Sequence, residues 1–162
     1  MKETKLKIRV YGDQCLRSKA KPVKAITDYH KKLLVQMSRI MYESSGIGLA
    51  SSQVGIEEAL IVVDAGCGLY KLINPKIIVR EGAQVIDEGC LSVPGISIKV
   101  TRAQKITLEA QDEQGRSIVL HAEDLLACVF QHEIDHLEGK LIVDYAEDKE
   151  EIQKKLKGLR VV

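Results

Sequence analysis

The chain has 162 residues, of which 45% are hydrophobic and 29% charged, with a formal net charge of +1. That length suits a single domain over residues 1–162 with a proper core. The near-neutral balance argues neither for nor against a nucleic-acid partner, and none specific is expected; apolar runs such as Ala59-Leu60-Ile61-Val62-Val63 are far too short to span a bilayer.

The amino terminus, Met1 to Asp13, alternates charged and apolar residues and lacks the apolar core of a signal peptide, so a cytoplasmic protein is expected. Residues 1–40 hold eleven Lys/Arg against three Asp/Glu. A solvated basic face is the plainer reading; a docking surface for an anionic partner such as ribosomal RNA is the sharper one. Thr27 can cap a helix running to about Ser44, with Leu33, Leu34, Met37, Ile40 and Met41 on one face and Gly46 beyond its end. Gly46 to Gly55 reads as a Gly-rich loop bearing one amide, Gln53, and it lacks the Lys-Ser/Thr ending of a phosphate loop.

Strands then dominate. Glu58–Asp64 is a short buried run, Leu69–Ile73 and Ile77–Arg80 flank an Asn74-Pro75 turn, and Ile96–Thr101 alternates apolar with polar. Ile106, Leu108 and Ala110 alternate before a hairpin turn at Asp112 to Gly115 that returns through Ile118 and Leu120. The intervals are too short for crossover helices, so most pairing must be antiparallel. A helix from Ala122 to Glu138 and a charged helix around Asp148–Leu156 follow. The expected fold is α+β, with mostly antiparallel sheets wrapped around a central metal-binding helix and a helix toward each end. Cys15, Cys67, Cys90 and Cys128 form no Cys-x-x-Cys pair, which favours reduced thiols over a disulfide framework.

The chemistry sits on the long helix. His132 and His136 are four apart, on one face, and Glu133 is one step round from His132. Two such imidazoles can reach one metal at about 2.0–2.1 Å, with the acid beside a water, as in H-E-x-x-H proteases. Leu125, Cys128 and Val129 continue the same stripe as the histidines, and Gly139 stands where an αL cap would stop the helix. A third ligand is needed. A metzincin would place a His at position 142, which is Ile142, and Glu147, Glu150 and Glu151 lie in a charged tail. Cys90, expected in a Gly- and Pro-punctuated turn from Glu88 to Gly95 just ahead of a strand, is the better candidate, although a small buried core thiol is an equal reading of that residue alone.

Taken together, G-I-G-L-A-x-x-Q-V-G, E-G-C-L-S and Q-H-E-x-D-H-L-x-G occur in the order and spacing of peptide deformylases. The chain resembles that family from Leu16-Arg17 and Lys21-Pro22-Val23 through Asp144-Tyr145. The resemblance implies metal ligands Cys90, His132 and His136, with Glu133 as acid/base and Gln53 and the Leu91 N–H holding an oxyanion. It also implies a substrate pocket of Ile47, Gly48, Ile86, Gly89, Leu125, Cys128 and Val129, and one divalent ion, usually Fe²⁺, with Zn²⁺, Ni²⁺ or Co²⁺ as substitutes. The implied substrate is the formyl-methionine end of new polypeptides, with the ribosome surface as a neighbour and no membrane. Ser51-Ser52 and Ser97 depart from residues common in relatives, and Glu88 with Arg102 reads either as a pair steering a ligand or as a surface pair. A general H-E-x-x-H metallopeptidase and a non-catalytic metal-stabilised binding module are the competing readings.

Overall fold

Thr27 begins the first helix as its sequence predicts: its backbone N–H donates to Nδ1 of His30, 3.1 Å away, satisfying a donor that the first turn leaves unpaired. The helix, α1 (Asp28–Glu43), buries Leu33, Leu34, Met37 and Met41 with Leu49, Leu60 and Val62. Ser45 takes a positive φ of 57° and the Gly46 N–H returns to the carbonyl of Met41 at 2.9 Å, which ends it. These features belong to a computed structural model that describes residues 5–157. Residues 1–4 and 158–162, with the first part of the alternating amino terminus, lie outside the described residues.

Among the described residues seven strands follow in two sheets. In the larger, β1 (Gly48–Ala50), β2 (Leu60–Val63), β3 (Tyr70–Glu81), β6 (Lys105–Gln111) and β7 (Ser117–Glu123) lie in that order. The smaller pairs β4 (Gln84–Cys90) with β5 (Val93–Arg102). Every pairing between these strands is antiparallel, as the short connections require. Helix α2 (Asp124–Leu137) packs against the large sheet and reaches β5 of the small one. On its sheet side Ala127 and Phe130 are fully buried, with the Phe130 ring edge-on to Tyr70 at 5.4 Å. Burying a side chain of that size contributes about 1.5–3 kcal/mol. Helix α3 (Lys149–Lys157) places Ile152 and Leu156 in a second cluster with Val93, Ile98 and Val100. The architecture is the α+β arrangement expected. Among the described residues no helix is long and apolar enough to cross a membrane.

Four local expectations need correction. Asn74-Pro75 is no turn: β3 runs through it, with Asn74 at a φ of 53° and a register shift against β6 between Ile73 and Lys76. Asn tolerates the left-handed region, and its amide accepts from the Val23 N–H at 2.8 Å and donates to the Val23 carbonyl at 2.9 Å, tying down the segment before α1. Helix α2 starts at Asp124 rather than Ala122, because Ala122 and Glu123 pair with Ile106 and Lys105. The Gly46–Gly55 loop contains strand β1 and a 3₁₀ turn, Ser51–Val54. Cys90 ends a strand, β4, which alternation did not single out.

Candidate metal centre

Two elements deliver the three donors. Helix α2 carries His132 and His136 one turn apart, and the end of β4 carries Cys90 toward them. Nε2 of His136 lies 3.2 Å from Nε2 of His132 and 3.3 Å from Sγ of Cys90, and all three atoms fall within 4.8 Å of one another. Donors that bind one ion tetrahedrally at about 2.0–2.3 Å stand roughly 3.3–3.6 Å apart, so this set fits a small divalent cation. No fourth Cys, His, Asp or Glu joins the group among the described residues. A closed structural site would need one.

The electrostatics favour a cation at this point. Burial opposes charge on His132, yet Cys90, Glu133 and Glu88 outweigh it and raise that imidazole's pKa above its ordinary value. Anions that hold a proton there also hold a metal in its place. Burial, and the neighbouring His132, push His136 well below the ordinary range, so it presents the neutral imidazole that ligation requires.

Glu88 fixes His132 from behind. Its Oε1 is 2.7 Å from Nδ1 of His132, leaving Nε2 to face the other donors. Arg102 grips the same carboxylate twice, through Nε at 2.7 Å and Nη2 at 2.8 Å. With side chains only 4% and 7% exposed, Arg102 and Glu88 are no surface pair. Burial alone would raise the Glu88 carboxyl; Arg102 and His132 reverse this and hold it at about 2.

Glu133 is buried beside His132, its Oε1 3.8 Å from that ring's Nε2, and its Oε2 has no hydrogen-bond partner among the described residues. A buried carboxylate oxygen without a partner is costly unless water or substrate meets it. Burial pushes the Glu133 carboxyl up to about 7, where a group can both take and return a proton near neutrality. Glycine at 48 is required by close approach: a Cβ there would meet Oε1 of Glu133 at 2.7 Å and Cγ1 of Val129 at 2.9 Å.

Gln53 enters from the 3₁₀ turn. Its Oε1 accepts the Ala50 N–H at 2.9 Å, which turns Nε2 toward Oγ of Ser92 at 3.1 Å and Sγ of Cys90 at 3.6 Å. Both departing serines are used: Ser51 donates to the Glu58 carbonyl at 2.6 Å and Ser52 to the His136 carbonyl at 3.2 Å, so the second ties the turn to the metal helix.

These groups open into one cavity of about 550 Å³ lined by Ile47, Gly48, Gln53, Ile86, Gly89, Cys90, Leu91, Leu125, Cys128, Val129, His132 and Glu133. Every expected site residue except His136, which lies buried behind, therefore borders the same space. The helix stripe is a cavity wall, not plain core: Cys128 and Val129 are buried, while Leu125 is 44% exposed at the rim. Ser92, Asp135 and Tyr145 were not legible as site residues. Ser92 touches Gln53, Asp135 accepts from Arg102 at 2.6 Å, and Tyr145 donates to Asp135. Ser92 and Asp135 are letters of the E-G-C-L-S and Q-H-E-x-D-H-L-x-G motifs and Tyr145 ends the stretch of resemblance, but nothing in the sequence said what each would touch.

The chain matches the family model described as polypeptide deformylase over residues 5–151. It is 50% identical over 141 residues to a peptide deformylase of Halothermothrix orenii, covering 86% of this chain and 92% of that one. A peptide deformylase of Desulfitobacterium hafniense is 50% identical over 135 residues, covering 83% and 90%. Among solved structures, a peptide deformylase from Synechococcus elongatus in complex with actinonin superposes with a TM-score of 0.89 at 42% identity, covering 94% of this chain and 85% of that one. One from Legionella pneumophila gives 0.90 at 36% identity, covering 97% and 96%.

Proposed function

This chain belongs to the peptide deformylase family, and from that membership we propose which of its residues carry the reaction. It is a hydrolase that removes the N-formyl group from the formyl-methionine end of new polypeptides and releases formate. Cys90, His132 and His136 hold one divalent metal, Glu133 moves the proton, and Gln53 with the Leu91 N–H receives the developing oxyanion. The convergence of the three donor atoms beside the unpartnered Oε2 of Glu133 carries this assignment. We read residues 1–162 as one catalytic domain acting in the cytoplasm, where the ribosome surface would bring it its substrate.

A metal bound there supplies Lewis acidity to the attacking water and to the formyl oxygen. Glu133 takes the water's proton as the new C–O bond forms, then returns it to the amine as the C–N bond breaks. Negative charge develops on the former carbonyl oxygen. Nε2 of Gln53, aimed by its own Oε1 contact to Ala50, is an already oriented donor for it. One such donor is typically worth about 2.7–4 kcal/mol in the transition state. Glu88 and Arg102 keep the His132 ring from turning during these steps.

The test is formate release from a formyl-methionyl peptide set beside hydrolysis of the same peptide unblocked. Only the first should occur. Cleavage of internal bonds in the unblocked peptide would favour a general metallopeptidase, and a metal-bound chain that turns over neither would favour a binding module. Neither alternative gains from the geometry. Ile142 is buried in the second core cluster, and Glu147, Glu150 and Glu151 are exposed away from the donors.

We propose Fe²⁺ as the working metal, with Zn²⁺, Ni²⁺ or Co²⁺ able to substitute. Fe²⁺ beside a thiolate presents two oxidisable centres. The iron form should therefore lose activity in air and keep it under nitrogen, whereas the nickel form should be stable in both. An iron form indifferent to oxygen and peroxide would count against Cys90 as its ligand.

The cavity sets substrate preference. Cys128 and Val129 form a buried apolar wall, with Ile47, Ile86 and Leu125 toward the rim and Gly48 and Gly89 leaving backbone room. A thioether fills such a slot easily, while an unpaired carboxylate pays several kcal/mol in desolvation. Formyl-Met peptides should thus be hydrolysed far faster than formyl-Asp peptides. Val129→Asp should lower kcat/KM for formyl-Met substrates while leaving metal content intact. Equal rates on the two peptides would place the side-chain pocket elsewhere.

A further inference from the structure

The Glu88–Arg102 clamp has a second carboxylate attached and a phenol closing it. Arg102 Nη1 donates to Oδ2 of Asp135 at 2.6 Å, and the same oxygen accepts the Tyr145 hydroxyl at 2.6 Å. The Tyr145 ring covers the guanidinium, with Cζ of Arg102 4.9 Å from the ring centroid. Arg102 is almost wholly buried, whereas Tyr145 is 36% exposed, so Tyr145 is where the network meets solvent. Its place is fixed from a distance. It ends the 3₁₀ turn Ile142–Tyr145, which Arg17 anchors through Asp144 at 2.7 and 3.0 Å.

We propose that Tyr145 is a positioning residue for the metal centre: by holding Asp135 and covering Arg102, its hydroxyl and ring keep the Arg102–Glu88 clamp in the one geometry that orients His132. The inference rests on the metal-centre reading above. One guanidinium here serves two carboxylates, with Nε and Nη2 on the two oxygens of Glu88 and Nη1 on Asp135, so Asp135 fixes the remaining edge of the guanidinium. The Tyr145 hydroxyl supplies Asp135 with a second donor and so limits where that carboxylate can go. Burial, then the hydrogen bond to Asp135, push the phenol up to about 12, so it remains a donor throughout the neutral range. Tyr145 does not line the cavity, and any effect of the residue on turnover must therefore pass through the clamp. A tyrosine that merely packs on the surface would leave the metal indifferent to its hydroxyl.

The experiment compares the cobalt-loaded wild-type chain with cobalt-loaded Tyr145→Phe, Asp135→Asn and the double variant. Cobalt absorption bands report ligand geometry, and release of the metal to a chelator reports how firmly it is held. Losing a group bonded directly to a ligand costs about 10–100-fold in affinity or activity. Tyr145 acts one link further out, so Tyr145→Phe should release cobalt several-fold faster, with altered bands, a lower kcat and an unchanged KM for formyl-Met peptide. The double variant should release it no faster than Asp135→Asn alone, because both changes cut one chain of contacts. Wild-type spectrum and release rate in Tyr145→Phe, or independent multiplying effects in the double variant, would overturn the proposal. Should Asp135→Asn not fold, Tyr145→Phe decides by itself. A wild-type chain that takes up no cobalt would overturn the metal-centre reading as well, whereas equal retention with and without the hydroxyl overturns this inference alone.

Discussion

Replacing Glu133 by alanine should leave the metal bound and lower kcat/KM on formyl-methionyl peptides by at least about 10²–10⁴-fold, the usual contribution of a positioned acid/base group. The carboxylate lies 3.8 Å from Nε2 of His132, beside the donor set rather than within it, so its removal leaves all three donors in place. What disappears is a buried carboxylate oxygen that has no hydrogen-bond partner among the described residues. Alanine also leaves space against Gly48 and Val129, so Glu133→Gln is the sharper substitution. The amide keeps the volume and cannot take the proton. Both variants should be inactive with one metal per chain. Near-normal turnover by either, at full metal content, would assign proton transfer to another group.

Cys90→Ala should remove the metal itself. Sγ of Cys90 stands 3.3 Å from Nε2 of His136 and 3.6 Å from Nε2 of Gln53, so the thiol is placed both as the proposed third donor and beside the amide proposed to receive the oxyanion. Loss of an outer partner of a metal ligand costs about 10–100-fold in affinity. Loss of a ligand should exceed that, and metal content after dialysis should fall well below one per chain, with activity falling in parallel. Cys90→Ser, which keeps a weaker donor, should lie between. Full metal content in Cys90→Ala would return Cys90 to the role of a packing thiol.

Much of the site was legible because its chemistry is local in sequence. His132, Glu133 and His136 share one helical turn, and a turn of helix has only one geometry. Gly139 as the αL stop was equally plain: its φ is 76°, and a Cβ there would meet the Arg17 carbonyl oxygen at 2.6 Å. The hairpin from β6 to β7 was readable from alternation closed by Asp112 and Gly115. By contrast, β4 hid its strand character. Its buried and exposed positions include Asp87, Glu88 and Gly89, and Glu88 is buried only because Arg102, fourteen residues away, neutralises it. Asn74-Pro75 looked like a turn because turn chemistry and bulge chemistry use the same residues; what distinguished them was Val23, fifty-one residues away. Asp135 stands inside the helix motif and Tyr145 at the end of the resemblance, but what each touches was hidden for the same reason, since contacts to Arg102 are encoded by no local pattern.

The most direct measurement starts from metal-free protein under anaerobic conditions and adds Fe²⁺ in steps while formate release from a formyl-methionyl peptide is followed. Activity should rise from near zero and stop rising at one metal per chain, with no such rise in Cys90→Ala and no cleavage of the unblocked peptide. Full formate release from the metal-free chain, or an equal metal response in Cys90→Ala, would contradict a centre built from Cys90, His132 and His136.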